Sequence, residues 1–189
     1  MSKKIFNEKD YNSNDGMLTT VWGPSMWHSL HSISFNYPIN PTPKQKRDYM
    51  KFILNLKNVL PCGKCRKNLV NNFKRLPLTM ASMKSRATFS LYIYELHELI
   101  NDMLGKKSGL SYDDVRERYE HFRSRCTKSY HELIVMKKKT MKNRSTLNEE
   151  KGCTEPLYGD KSKCILKIVP QETKCDTFQI DKSCIKQTL

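Results

Sequence analysis

The pattern of apolar and polar positions over the first 126 residues is helical throughout. Apolar side chains recur every three or four residues, and prolines and glycines stand between these stretches. The spacing predicts helices over residues 24–36, 44–60, 62–75, 85–104 and 111–125. No stretch before Cys126 alternates as a strand does. We therefore predict an all-α fold, with a compact helical bundle over residues 21–126.

The two ends of the chain differ from this central part. Residues 1–20 are polar and rich in asparagine, so we expect a disordered lead. Residues 127–189 predict a basic linker and a cysteine-containing tail, poorly ordered or held by disulfides, with strands near residues 165–169 as an alternative. The sequence has no apolar run of bilayer length and no apolar signal region at its start. We expect a cytoplasmic protein without membrane contact.

The chain carries a formal net charge of +15, spread over both the central part and the tail. Such a charge is typical of proteins that bind nucleic acid through phosphate contacts. The basic residues are not interleaved with aromatic ones, however, as they are on a base-stacking surface. We therefore interpret the charge as a solvated surface that binds polyanions weakly.

The segment Pro61-Cys62-Gly63-Lys64-Cys65 carries the clearest chemical signal. Two cysteines at this spacing can open and close a disulfide. The preceding proline and the residues that follow place them at the first turn of a helix, where backbone N–H groups and nearby cations stabilise a thiolate. Half of a zinc site and an inert pair are the alternatives, although the sequence has no second Cys-x-x-Cys.

Two further pairs of side chains share helix faces near the cysteines. Trp27 and His31 are four residues apart on the first predicted helix, and His97 and Asn101 are four apart on the fourth. Each residue alone is explained by ordinary core packing. Together, an indole, two imidazoles and an amide beside a dithiol favour a planar cofactor with polar edges.

Five short motifs occur in a fixed order between Val21 and Cys126. The first is Gly-x3-Trp-x3-His followed by Tyr-Pro, at Gly23, Trp27, His31, Tyr37 and Pro38. The others are Pro61-Cys62-x-x-Cys65, His97-Glu98-Leu99-Ile100-Asn101, Leu104-Gly105-Lys106 and Glu117-Arg118-Tyr119. In their order and spacing they resemble the Erv/ALR family of FAD-linked sulfhydryl oxidases, in particular its large-DNA-virus branch.

The resemblance implies a four-helix bundle with a short fifth helix that binds FAD, usually as a homodimer. It also implies a reaction in which reduced protein thiols exchange with the Cys62–Cys65 disulfide, whose electrons pass through FAD to molecular oxygen and give hydrogen peroxide. By position, Cys62 is the interchange thiol and Cys65 lies against the flavin. The implied FAD-binding residues are Gly23, Trp27, His31, His97, Asn101, Lys106 and Tyr119. For a viral protein, the compartment is the host cytoplasm or the virion, in preference to the mitochondrial intermembrane space.

Three positions depart from the family pattern. Pro24 stands where arginine is common, and Glu98 replaces the first asparagine of the fourth-helix motif. Tyr112 stands where a structural cysteine usually pairs with one matching Cys126, so we expect that second disulfide to be absent. The alternative function is a zinc-stabilised basic helical protein that binds nucleic acid, with Cys62 and Cys65 as ligands.

Overall fold

A computed structural model describes residues 5–124, 153, 156–170, 172–174 and 179–186. Its α-helices are α1 (Glu8–Tyr11), α2 (Thr19–Phe35), α3 (Pro43–Val59), α4 (Gly63–Arg75), α5 (Arg86–Met103) and α6 (Tyr112–Glu120). A short 3₁₀ helix follows at Lys182–Cys184. The described residues contain no strand, only an isolated bridge between Ser124 and Pro156. The predicted all-α fold is confirmed.

The starts of α3 and α5 show why these segments are helical. Thr42 and Gln45 form a reciprocal capping box at the start of α3, which also has Pro43 in its first turn. Ser85 and Thr88 form the corresponding box at the start of α5. These caps satisfy backbone N–H groups that have no partner within the helix. Both helices begin within two residues of their predicted start.

The bundle consists of α2 to α5. Helix α2 packs on α5, and α4 packs on both α3 and α5. The buried core contains Leu30, Tyr37, Ile53, Leu56, Leu69, Met83, Phe89, Tyr92, Ile93 and Leu96. Tyr37 is fully buried, and its hydroxyl donates to the Met83 carbonyl at 3.0 Å. This bond ties the end of α2 to the connection between α4 and α5.

The chain divides into two compact units, Met1–Tyr112 and Asp113–Leu189. The first contains the bundle. In the second, the Leu157 amide donates to the Arg123 carbonyl at 2.7 Å, and Cys153 is disulfide-bonded. Cys164 and Cys184 carry free thiols. Cys126 and Cys175, and much of the predicted poorly ordered tail, lie outside the described residues.

The boundaries of two helices differ from the prediction. Helix α2 begins at Thr19, so Pro24 lies inside the helix and does not start it. A proline at this position removes one backbone hydrogen bond and crowds the carbonyl four residues earlier, which costs about 3 kcal/mol in a helix interior. Helix α6 ends at Glu120 because the amides of Phe122 and Arg123 donate to carbonyls three residues back and tighten the last turn.

The predicted disordered lead also differs from the structure over its described residues. Glu8–Tyr11 form α1, capped by Asn7 in a capping box with Asp10. Met17 donates its amide to the Pro61 carbonyl at 2.8 Å. The second half of the lead is thus held against the bundle by a partner distant in sequence.

Tyr112 packs into the first unit at the position where a structural cysteine was expected in the family pattern. Its hydroxyl lies 2.8 Å from Ser90 Oγ, and its ring stacks on Phe35 with centroids 6.2 Å apart. The hydroxyl of Tyr94 donates to the Leu110 carbonyl at 2.8 Å. These contacts fasten the connection after α5 to the bundle without a disulfide at residue 112.

None of the helices in the described ranges is both long and apolar enough to cross a membrane.

Candidate active site

Cys62 and Cys65 form a disulfide at the start of α4, with their Cα atoms 5.2 Å apart. Cys62 is the N-cap residue, and its sulfur accepts a hydrogen bond from the Cys65 amide at 3.2 Å. Both residues are half-buried. The predicted placement at the first turn of a helix is confirmed, and it exposes the sulfurs to the positive end of the helix dipole.

The charged side chains in the first two turns of α4 are positive. The first turns of α2 and α4, all of whose residues are described, carry no acidic side chain. Lys64 and Lys67 are exposed on α4. The Arg66 guanidinium donates to the Leu60 carbonyl at 2.5 Å, which fixes it beside the loop that leads to Cys62. This environment favours a thiolate on either cysteine once the disulfide opens.

The segment before α2 lies against the cysteine motif. Besides the bond from Met17 to Pro61, the Trp22 indole donates to the Met17 carbonyl at 3.0 Å. A Cβ atom at Gly16 would lie 3.1 Å from the Pro61 oxygen and 3.3 Å from Cys62 Cα. Glycine is therefore the residue that lets this segment approach so closely.

Four residues at intervals of four lie along α2: Thr19, Gly23, Trp27 and His31. This spacing places neighbours in the row on one side of the helix. At one end, Thr19 Oγ1 is 3.8 Å from Cys65 Sγ. At Gly23, an added Cβ would meet only the Thr19 methyl group within 4 Å. The row thus runs from the disulfide, across a residue without a side chain, to an aromatic cluster.

That cluster contains Trp27, His31 and His97. The indole stacks on the His97 imidazole with centroids 3.9 Å apart and planes inclined by 9°. His31 Nε2 lies 3.1 Å from His97 Nδ1, so one ring donates to the other. Burial lowers the pKa of His31 to about 3, helped by the nearby His97 and His28. Burial likewise lowers the pKa of His97 to about 4, against the opposing effect of Glu98. Both imidazoles are neutral at neutral pH.

Asn101 lies one turn beyond His97 on α5. Its side-chain amide donates to the Glu98 carboxylate at 3.0 Å. Its backbone carbonyl accepts a hydrogen bond from the backbone N–H of Lys106 at 2.8 Å. Gly105 has a positive φ of 66°, which turns the chain so that this second bond forms. The Lys106 side chain is exposed. Position 98, a departure from the family pattern, thus holds the Asn101 amide.

The structure brings some of the predicted site residues together and not others. Trp27, His31 and His97 are in mutual contact, and Gly23 and Asn101 follow on the same two helices. Tyr119 belongs to the second unit, where burial raises the pKa of its hydroxyl. In the described ranges, no group of three or more His, Cys, Asp or Glu side chains is arranged to hold a metal ion.

Sequence reasoning missed Thr19 and the segment before it. The available signal was the spacing of four that links Thr19 to Gly23, Trp27 and His31. That signal has meaning only because α2 continues through Pro24, whereas the sequence predicts a helix that begins at Pro24. The contact of Met17 with Pro61 has no signal in the local sequence.

The fold and the site define the class: an all-α domain built around a Cys-x-x-Cys disulfide, with an aromatic cluster on the helix that touches it. The profile of the Erv1 / Alr family matches residues 24–120, slightly more than half of the chain. The chain belongs to the Erv1 / Alr family.

Its relatives include large-DNA-virus proteins. A probable FAD-linked sulfhydryl oxidase of Acanthamoeba polyphaga mimivirus is 36% identical over 104 residues, covering 55% of this chain and 72% of the relative. An FAD-linked sulfhydryl oxidase of African swine fever virus is 29% identical over 99 residues, 52% and 80% of the two chains. The crystal structure of the FAD binding domain of Erv1 from Saccharomyces cerevisiae superposes with a TM-score of 0.50 at 25% identity, covering 55% of this chain and 94% of that one.

Proposed function

We propose that this protein is an FAD-dependent thiol oxidase that introduces disulfides into protein substrates. One observation carries the proposal: the helix that contacts the Cys62–Cys65 disulfide at its first turn holds Trp27 stacked on His97 two turns later. One helix, α2, therefore contacts the redox-active pair on α4 and also supplies the indole of an aromatic surface that it forms with α5. The membership of the Erv1 / Alr family and the names of the viral relatives support the same conclusion.

The two cysteines have different roles in this proposal. Cys65 Sγ lies beside α2, the helix that carries the aromatic cluster, so Cys65 is the cysteine on the cofactor side. Cys62 is then the sulfur that a substrate thiolate attacks. Its sulfur is pre-oriented by the Cys65 amide, and the same N–H group stabilises the Cys62 thiolate when exchange is complete.

The side chains present fit FAD. The Trp27–His97 pair offers a flat aromatic surface, the neutral imidazoles offer a donor and an acceptor, and the basic Lys106 suits a phosphate. We propose that FAD is held by Gly23, Trp27, His31, His97, Asn101, Lys106 and Tyr119. When bound, FAD accepts two electrons from the dithiol and delivers them to oxygen, which yields hydrogen peroxide.

Two partners follow from this chemistry: reduced protein thiols are the electron donors and molecular oxygen is the acceptor. That the protein works as a homodimer is proposed from its membership of the family. The proposed compartment is cytoplasmic, which for a viral protein means the host cytoplasm or the virion, in preference to the mitochondrial intermembrane space. The protein's charge of +15 gives it a weak affinity for polyanions as a by-product.

The test is oxygen consumption by the purified full-length protein with dithiothreitol as the substrate. The wild type is expected to be yellow and active, whereas Cys62→Ser and Cys65→Ser remain yellow and folded but lose oxygen consumption. Cys164→Ser, which removes a free exposed thiol, is the matched control and keeps full activity. A colourless wild type, or activity retained in either active-site variant, contradicts the proposal.

A further inference from the structure

Thr19 lies beside a reacting sulfur and has no part in the reaction described so far. It is the first residue of α2, and its Oγ1 is 3.8 Å from Cys65 Sγ. We propose that the Thr19 hydroxyl donates a hydrogen bond to the Cys65 thiolate when the disulfide opens, and so stabilises Cys65 as the leaving group of thiol exchange. This inference rests on the proposed thiol oxidase function and adds a residue to it.

The position of Thr19 is fixed by the segment that precedes it. The Met17 amide is bonded to Pro61 at 2.8 Å, and the Met17 carbonyl accepts the Trp22 indole at 3.0 Å. Gly16 permits the close approach to Cys62. The residue that supplies the hydroxyl is therefore tied by backbone to the motif that supplies the sulfur.

The two sulfurs of the disulfide interact with the N-terminal ends of two different helices. Cys62 Sγ accepts from the Cys65 amide and so caps α4, its own helix. Cys65 Sγ faces the first residue of α2, whose N-cap is Leu18, an apolar side chain that supplies no capping oxygen. A thiolate on Cys65 would thus meet a hydroxyl donor together with the positive end of the α2 dipole.

Charged groups around Cys65 do not replace this hydroxyl. In the first two turns of α4 the cations are Lys64, Arg66 and Lys67; the two lysines are exposed, and the Arg66 guanidinium is engaged with the Leu60 carbonyl. The first turns of both helices, described in full, contain no acidic residue that would oppose a thiolate. In the segment that packs on the cysteine motif, the acidic residue Asp15 stands next to Gly16, and its carboxylate accepts a hydrogen bond from the Ser13 hydroxyl. Thr19 supplies the directional donor to Cys65.

The step itself balances without a further reagent. A substrate thiolate attacks Cys62 Sγ, a substrate–Cys62 bond forms, and the Cys62–Cys65 bond breaks. Its electron pair remains on Cys65 as a thiolate, to which Thr19 donates a hydrogen bond while keeping its proton. A second substrate thiolate then attacks the substrate sulfur of the mixed disulfide and releases Cys62 as a thiolate. A lower pKa of the leaving thiol speeds the first of these attacks.

The experiment measures the pKa of Cys65 in full-length protein that carries Cys62→Ser. The rate of iodoacetamide alkylation of the Cys65 peptide is followed against pH by mass spectrometry, which separates it from the other cysteines. Thr19→Val, a change of similar shape, is expected to raise the pKa of Cys65 by about one unit, a roughly tenfold loss of thiolate below that pKa. Thr19→Ser is expected to keep the original value, as is Thr20→Val, the matched control on the same turn.

The same Thr19 variants, with both cysteines present, are equilibrated in glutathione redox buffers. Thr19→Val is expected to make the dithiol form easier to oxidise, because loss of the hydroxyl destabilises the Cys65 thiolate and with it the reduced form. An unchanged pKa in Thr19→Val, or an equal rise in Thr19→Ser, overturns the role of the hydroxyl. Neither measurement needs turnover. If Cys62→Ser and Cys65→Ser abolish oxygen consumption but Thr19→Val leaves the pKa of Cys65 unchanged, this inference fails and the proposed function stands. If the two cysteine variants stay active, the proposed function itself fails.

Discussion

Replacing Trp27 with alanine tests whether the aromatic cluster is a cofactor site or part of the core. The indole is half-buried and stacks on His97 with centroids 3.9 Å apart. Truncating a fully buried tryptophan costs about 3–5 kcal/mol, so a half-buried one costs roughly 2 kcal/mol of folding free energy. If FAD also stacks there, its binding loses a further 1–3 kcal/mol or so, which weakens FAD affinity about 5- to 140-fold.

The assay separates these two losses. The FAD content of Trp27→Ala as purified is read from its visible absorbance, and its FAD affinity is measured by titrating the apoprotein. Trp27→Phe keeps an aromatic face and is expected to fall between the wild type and Trp27→Ala. Phe52→Ala, which truncates an aromatic side chain 44% exposed on α3, is the matched control. Full FAD occupancy in Trp27→Ala, with an affinity equal to that of Phe52→Ala, would refute the cofactor role while leaving the packing role intact.

Three further predictions concern stability and the segment before α2. Because the folded pKa values of His31 and His97 lie near 3 and 4, below the ordinary 6.5, the unfolded chain binds protons more readily; the stability these groups contribute is complete above pH 6.5 and is lost as the pH falls toward 4. Thermal unfolding across that range should show the loss and His97→Gln should flatten it, whereas a constant melting temperature in the wild type would contradict it. Tyr112→Phe removes the contact with Ser90 and should lower the free energy of unfolding by about 1 kcal/mol in urea melts, with the exposed Tyr11→Phe as the control; equal stabilities would count against it. Gly16→Val pushes the segment off Pro61, so the Met17 amide should lose its protection in hydrogen exchange, and unchanged protection would show that the close approach is not required.

The helices that the sequence predicted well are those whose signals are local. Helix α4 could be placed from Pro61 and Cys62, and α5 from its cap at Ser85 and its apolar stripe. In both cases the stripe and the end signals agree, so propensity and packing favour the same boundaries. The start of α2 could not be placed in this way, because a proline inside a helix has the same local appearance as a proline that begins one.

The missed parts of the site depend on contacts between residues distant in sequence. Met17 and Pro61 are 44 positions apart, and nothing in the polar run before α2 indicates that it packs on the cysteine motif. The signal for Thr19, its spacing of four from Gly23, depends on α2 continuing through Pro24. That Trp27 and His97 lie together could be predicted from the sequence, because each residue lies on a helix face that the spacing identifies.

In the proposed reaction, Cys62 and Cys65 reduce a flavin bound by this chain. The most direct measurement is an anaerobic titration of the purified full-length protein with dithiothreitol, followed through the visible absorbance of the flavin. We expect the flavin absorbance of the wild type to bleach and to return when oxygen is admitted, and Cys164→Ser to behave in the same way. Cys62→Ser and Cys65→Ser are expected to keep their colour at the same dithiothreitol concentration. Bleaching of these two variants as rapid as that of the wild type would contradict the proposed reaction.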